Sequence, residues 1–247
     1  MLNKKTIYKK TSIIIVTYKA LEYLKICLES IRTYTTSPYE LIIVDNDSGE
    51  PLTSYLEAQD DLKVIYNKKN VLLTPAQSQA LEIIDSDSEY ILFLNPDMRI
   101  LLRDWLQRLI DLMESKENIG IVGPLYNVQA IGPLHGNIDM ACLLARRELL
   151  KDTNGLDDNF PWNGAGFILT ANAWTRGWRY RHLKEPEIIR HYGARSRSHN
   201  KIPNTRINQR EELKKRGIRP TWSIIYFIRQ IVGRPDLIWK SIKIKYL

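Results

Sequence analysis

Apolar positions along this chain collect in short unbroken runs, each closed by a polar turn, and between the runs they recur every three or four residues. Tyr90–Leu94 is such a run throughout, and the strand-like segments Ser12–Val16, Tyr39–Val44 and Lys63–Tyr66 each contain a shorter one. A run without polar alternation predicts a strand buried on both faces, as in the middle of a parallel sheet. Between them, Leu21, Leu24, Leu28 and Ile31 mark an amphipathic helix, Leu52–Leu56 a short one, and Pro75–Ile84 another. Strand and helix alternating in this way predict right-handed βαβ units, hence an α/β fold on a mostly parallel sheet flanked by helices. Tyr90–Leu94 organises the rest, because it stops abruptly at Asn95-Pro96-Asp97. Pro96 stiffens the backbone there, so the carboxylate of Asp97 leaves a fixed turn.

Beyond Asp97 the pattern predicts a helix through Trp105, Leu109, Leu112 and Met113, then a strand over Ile119–Val122 closed by Gly123-Pro124. Residues 126–136 show no period and read as a loop. Ala141–Ala145 is strand-like and Arg147–Lys151 starts a short helix. A run of turn formers and aromatics from Gly155 to Gly166 precedes a helix reaching about Arg176, and Ile188–Tyr192 is a short apolar segment that carries His191. Polar loops follow the strands at Thr17-Tyr18-Lys19, Asp45–Gly49 and Asn67–Asn70. That places the candidate chemistry at the C-terminal edge of the sheet, where open α/β folds bind ligands.

Charge divides the chain. Of a formal net charge of +8 over 247 residues, the segment from Asn200 to Leu247 supplies twelve basic against three acidic residues, so residues 1–199 are nearly neutral. We therefore expect a catalytic-size α/β domain over 1–199 and a basic amphipathic, helical extension over 200–247, and no nucleic-acid role for the main domain. In the extension Trp222, Tyr226, Ile224–Val232 and Leu237–Ile244 mix aromatic, aliphatic and basic residues. This composition suits a helix lying on an anionic membrane surface, at roughly 1 kcal/mol per basic residue. The competing reading is a helix packed on the domain itself or on a second subunit. Cys27 and Cys142 sit in apolar patterns and read as reduced core residues of a cytoplasmic protein, peripheral to the inner face of the membrane if the extension binds lipid. No apolar run is long enough to span a bilayer.

The segments S-I-I-I-V-T-Y from Ser12, L-I-I-V-D-N-D-S from Leu41, Y-I-L-F-L-N-P-D from Tyr90, Gly120–Pro124 and G-L-D-D-N-F from Gly155 resemble, in order and spacing, family 2 glycosyltransferases of the Rossmann-like GT-A fold. The N-P-D form is similar to rhamnosyltransferase-like members. The resemblance covers about residues 10–195. It implies a nucleotide-sugar donor, such as a dTDP- or UDP-sugar, and a glycan or lipid-linked saccharide acceptor, as in polysaccharide biosynthesis. It also implies that Thr17 and Tyr18 touch the nucleoside, that Asp45 hydrogen-bonds the base, and that Asn95 and Asp97 form the metal motif. Asp97 would bind Mg²⁺ or Mn²⁺ on the donor diphosphate, and His191 matches a late histidine that can be a further ligand. Asn95 stands where a first carboxylate is usual, which leaves phosphate and water to complete the coordination. His135, His182 and His199 have weaker claims.

Two departures from the family pattern stand out. The segment Asn70–Gln79 after the third strand contains no glycine, where the family has glycines that let the backbone approach the donor. An inverting transfer also needs a carboxylate to take the acceptor proton, and the family keeps it in an E-D segment opening the helix that ends near Gly177-Trp178. Here that place reads Ala165-Gly166. Asp157 and Asp158 are the closest candidates for the base, and as a structural alternative they are turn residues. Asp139 is a further candidate on a loop without an assigned place. Two function classes follow: an active sugar transferase with a relocated base, or a catalytically silent homologue acting as a nucleotide- or glycan-binding scaffold.

Overall fold

The computed structural model describes residues 9–124, 138–162, 164–192 and 207–218. Its first half follows the apolar runs. Strands β1 (Lys10–Thr17), β2 (Tyr39–Asp45), β3 (Leu62–Tyr66) and β4 (Ser88–Leu94) alternate with α1 (Leu21–Tyr34), α2 (Leu52–Glu57) and α3 (Leu73–Leu81). The second half adds β5 (Met98–Ile100), α4 (Trp105–Glu114), β6 (Ile119–Pro124), β7 (Cys142–Arg146), α5 (Arg147–Asp152), α6 (Ala165–Thr175), β8 (Arg179–Leu183), β9 (Ile189–His191) and α7 (Gln209–Lys215). Seven strands form one sheet in the order β3-β2-β1-β4-β7-β6-β8, and β5 pairs with β9 in a separate two-stranded ribbon. Within the large sheet β7 runs antiparallel to both β4 and β6, while the other pairings are parallel.

Strand β4 is the middle of this arrangement. Its residues Tyr90, Ile91, Leu92 and Phe93 have no exposed surface. Tyr90, Leu92 and Leu94 point into a core built with Leu24, Leu28 and Ile31 of α1 and Trp105, Leu109 and Met113 of α4. Ile91 and Phe93 point the other way, into a core with Ala76 and Ala80 of α3 and Phe167 and Ile168 of α6. Two helical layers cover one sheet, which is why the run shows no polar alternation.

Three elements differ from the sequence pattern. Helix α3 begins at Leu73 and ends at Leu81. Pro75 thus lies in its first turn, where a missing N–H breaks no helical bond. Strand β8 reads Arg-Tyr-Arg-His-Leu and pairs on one side only, with β6, so it needs no continuous apolar run. Ribbon strand β5 is three residues long and is defined only by its partner β9. The loop expected over 126–136 lies outside the described residues.

Helix α6 has no polar face. Residues 165–171 are all buried, and a helix apolar on every side must be covered on every side. Part of that cover is the start of the basic segment. Ile207, Leu213 and Ile218 join the core beneath α6, and Arg216 Nε donates to Asn172 Oδ1 at 2.7 Å. The positive charge of Arg216 is matched by Glu212 at 2.7 Å and lies 3.9 Å from Asp157. The segments around Trp222 and Trp239 lie outside the described residues. Among the described residues no helix is long and apolar enough to cross a membrane.

The docking of α7 gives a direct expectation. Leu213→Ala should cost about 2–4 kcal/mol, as expected for a buried leucine whose site cannot fully collapse. Urea unfolding would show this as a lower midpoint at unchanged slope, and an unchanged midpoint would mean that α7 does not pack on α6.

Candidate active site

The three polar loops meet where β1, β2 and β3 end. Thr17 is in register with Asp45, and Asp45 with Tyr66. The exits are tied by backbone bonds, the Asn46 N–H donating to the Thr17 carbonyl at 2.9 Å and the Asn67 N–H to the Asp45 carbonyl at 2.8 Å. Asp45 is only 3% exposed. Its Oδ1 accepts the Ser48 N–H at 3.1 Å, and Ser48 Oγ accepts the Lys19 N–H at 2.9 Å, so the carboxylate is fixed to the loop that carries Tyr18. Burial pushes the Asp45 carboxyl above its ordinary value, against the opposing pull of the Ser48 hydrogen bonds. The half-buried Tyr18 ring lies 5.1 Å from Lys19 Nζ, and Tyr66 stands 44% exposed beside Asp45.

The glycine-free segment has a defined shape. Leu72 adopts φ 73°, ψ −174°, a region that glycine fills easily and other residues rarely do, at about 1–3 kcal/mol of strain. Its carbonyl accepts Asn46 Nδ2 at 3.1 Å and its N–H donates to Asn70 Oδ1 at 2.9 Å. Asn67 Nδ2 links Asn46 Oδ1 and Gln79 Oε1, both at 2.9 Å. The backbone keeps a conformation suited to glycine, and an amide network holds it while a leucine side chain occupies the position.

Asp97 and His191 meet through the ribbon. After β4, the Asn95 N–H donates to the Ala141 carbonyl at 2.9 Å, and the Asn95 carbonyl accepts the Met98 N–H at 3.3 Å, which turns the chain into β5. Met98 is in register with His191, and the Tyr192 N–H donates to the Asp97 carbonyl at 3.0 Å. His191 Nε2 then lies 3.3 Å from Asp97 Oδ1, with the Asp97 side chain fully buried and that of His191 16% exposed. Asn95 is half-buried at the same turn. A carboxylate and an imidazole nitrogen converging on a buried floor suit a divalent cation. Among the described residues no three or more His, Cys, Asp or Glu side chains cluster as ligands, so the remaining positions would fall to phosphate and water. Both cysteines are free and buried. Burial and the neighbouring Asp97 push the Cys27 thiol far up, as burial, Cys27 and Asp139 do for Cys142, so neither is a nucleophile.

The candidate bases lie elsewhere. Asp158 Oδ1 accepts the Ser78 hydroxyl at 2.9 Å. Asp157 Oδ1 accepts the backbone and side-chain N–H of Asn159 at 3.1 and 2.8 Å, and its Oδ2 faces Arg216. The same turn is pinned to the start of α3, the Thr74 N–H donating to the Pro161 carbonyl at 2.9 Å and the Thr74 hydroxyl to the Phe160 carbonyl at 2.8 Å. Asp139 is exposed in the turn before β7, its Oδ1 accepting the Ala141 N–H at 3.0 Å. Of the other histidines, His182 has buried ring nitrogens and burial pushes its pKa down to about 4, which keeps it neutral. His135 and His199 lie outside the described residues.

Residues 12–198 match the family model for glycosyl transferase family 2. The chain belongs to that family. It is 25% identical over 230 positions to the O-antigen biosynthesis protein RfbC of Myxococcus xanthus, covering 76% of this chain and 18% of that protein. It thus spans about a fifth of the length of that relative. Among solved structures, the mannosyltransferase PcManGT from Pyrobaculum calidifontis, in complex with GDP-Man and Mn²⁺, superposes with a TM-score of 0.63 at 16% identity, over 73% of this chain and 56% of that one. S. aureus TarS 1-349, in complex with UDP-GlcNAc, gives 0.62 at 16% identity, over 84% and 65%. At such identities the likeness is one of fold, and the fold is GT-A. In this family 2 chain Thr17, Asp45, Asn95, Asp97 and His191 all stand at the C-terminal edge of the sheet, while Asp157 and Asp158 are engaged with α3 and α7.

The buried Asp45 carries a stability cost with a defined sign. Its folded pKa is raised above the unfolded value near 3.8, so ionisation opposes folding. The penalty is absent below that value and grows as pH rises through the folded pKa. Asp45→Asn, whose amide oxygen can still accept the Ser48 N–H, should therefore raise the urea midpoint at pH 7. Repeating the measurement at falling pH should show the gain vanish near pH 4.

Proposed function

We propose that this chain transfers a hexose or deoxyhexose from a nucleotide-sugar donor to a hydroxyl of a glycan or lipid-linked saccharide, with inversion at the anomeric carbon. The observation that carries this reading is that a buried, hydrogen-bonded Asp45 and a fully buried Asp97 beside His191 stand on one edge of a family 2 domain. Thr17 and Tyr18 would line the nucleoside, and Asp45 would accept a hydrogen bond from a ring N–H of the base. The strained Leu72 and its amide network would then border the nucleoside and hold it in a defined pose. Asp97 and His191 would hold Mg²⁺ or Mn²⁺, with Asn95 beside them. When bound, the cation would stabilise the negative charge that grows on the departing diphosphate. Structures of PcManGT with GDP-Man and Mn²⁺ and of TarS with UDP-GlcNAc support a donor of this class.

One observation favours a second reading. Helix α6 opens with Ala165-Gly166 in place of a carboxylate, and Asp157 and Asp158 have structural partners. A silent homologue would bind nucleotide without turnover. The acceptor could be presented at an anionic membrane surface through the basic residues beyond Ile218, which would put the protein at the inner face of the cell membrane. Rhamnose as the sugar rests on the N-P-D resemblance.

Calorimetric titration of UDP, dTDP and GDP with Mn²⁺ or with chelator tests the donor site. We expect one nucleotide to bind at least about tenfold more tightly with Mn²⁺, and Asp97→Ala to abolish that increment. Failure of all three nucleotides to bind under either condition would refute the donor-site assignment.

A further inference from the structure

We propose that Asp139 is the general base of this chain, the group that takes the acceptor proton from a position on the turn before β7 instead of from helix α6. The inference rests on the transferase reading above and deepens it.

The argument starts at Gly166, which stands where the family resemblance places the base. A Cβ there would lie 2.6 Å from the Ile138 carbonyl oxygen and 3.2 Å from the Met140 nitrogen. No side chain fits without moving backbone. The backbone of 138–140 fills the space that a carboxylate on α6 would need, and the residue at the middle of that backbone is itself an aspartate. Asp139 thus belongs to the backbone that packs on the first turn of α6.

Asp139 is also joined to the metal motif. The Ala141 carbonyl, two residues on, accepts the Asn95 N–H at 2.9 Å, and Cys142 is in register with Leu94. The turn that carries Asp139 is therefore tied to the exit of β4 at Asn95. Asp139 is exposed, and one of its oxygens is fixed by the Ala141 N–H at 3.0 Å. Its other oxygen has no partner among the described residues. A base requires that combination of fixed orientation and an available oxygen. Asp157 and Asp158 do not offer it, since their carboxylates serve Asn159, Arg216 and Ser78.

In the step assigned to Asp139, the acceptor O–H passes its proton to the carboxylate as its oxygen bonds to the anomeric carbon. The bond from that carbon to the diphosphate oxygen breaks, and the electron pair leaves with the nucleoside diphosphate. Water can stand in for the acceptor, which allows a test before the natural acceptor is identified.

The test uses the full chain with Mn²⁺ and UDP-glucose, UDP-GlcNAc, GDP-mannose and dTDP-rhamnose, reading nucleoside diphosphate release alongside nucleotide affinity and thermal midpoint. Asp139→Asn keeps an acceptor for the Ala141 N–H, so the turn is retained. It should bind nucleotide within about twofold of wild type yet release it about a hundredfold or more slowly, as for loss of a general base. Asp139→Glu should recover part of the rate, and Asp157→Asn and Asp158→Asn should stay within a few-fold of wild type. Release by Asp139→Asn within about threefold of wild type would overturn the assignment, as would a loss that tracks Asp157 or Asp158, or equal losses of binding and turnover. A wild type that binds nucleotide but releases none from any donor would overturn it in favour of the silent reading. A wild type that neither binds nor releases would refute the transferase reading itself, before any comparison of variants.

Discussion

Strand β4 cannot be exposed on either face, and most of the molecule follows from that. Tyr90, Leu92 and Leu94 demand one helical layer and Ile91 and Phe93 another, each side chain gaining roughly 1.5–3 kcal/mol on burial. Its neighbours β1 and β7 take up its backbone hydrogen bonds. The first place where the chain can present polar groups is the exit at Asn95. The position of the candidate chemistry is thus a consequence of core packing: the strand ends where the apolar run ends, and the edge is all that remains to be functional.

At that edge the protein gives up stability. Asp97 is buried beside His191, Asp45 is buried with its charge disfavoured, and Leu72 holds a conformation that suits glycine. Each opposes folding in isolation. They persist because rigid partners over-determine them. The β5–β9 ribbon fixes Asp97 against His191, the Ser48 loop fixes Asp45, and the Asn46–Asn67–Gln79 amides fix the turn at Leu72. Three separate costs at one edge, each with its own support, mark the place where a ligand would repay them.

What could be read from the sequence divides along the same line. Strands β1, β2 and β4 were legible because burial on both faces leaves an apolar run, and the positions of Thr17, Asp45 and Asp97 at the strand exits were legible because each closely follows such a run. Strand β8 was not, since an edge strand tolerates Arg179 and Arg181 and shows no run. The ribbon was not, since three residues at Met98 and three at Ile189 have meaning only when paired across the chain. Helix α6 could be read as a helix, but a helix apolar on all sides does not say what covers it, and so the role of Leu213 was hidden. The absence of glycine near Leu72 was visible in the sequence. That a leucine there would take the backbone shape of a glycine was not, because no local propensity predicts a conformation whose carbonyl is held by Asn46 from another loop. Asp139 was visible only as an aspartate in a weak pattern, since its setting depends on Gly166, whose contact with 138–140 no spacing rule encodes.

The docking of α7 bears on how the basic segment should be understood. Its first charged turn is not a free polybasic tail: Arg216 is occupied by Glu212 and Asn172 and lies near Asp157, and Lys215 pairs with Glu212 at 2.7 Å. Leu213 and Ile218 sit in the core that supports α6. Charge in this part of the chain therefore serves the domain, by closing the apolar helix whose first turn meets Ile138 and Met140. Beyond α7 the chain carries six basic residues from Arg219 onward against the single Asp236, and these are available to an anionic partner. The docked turn also fixes the origin of that remaining segment beside α6.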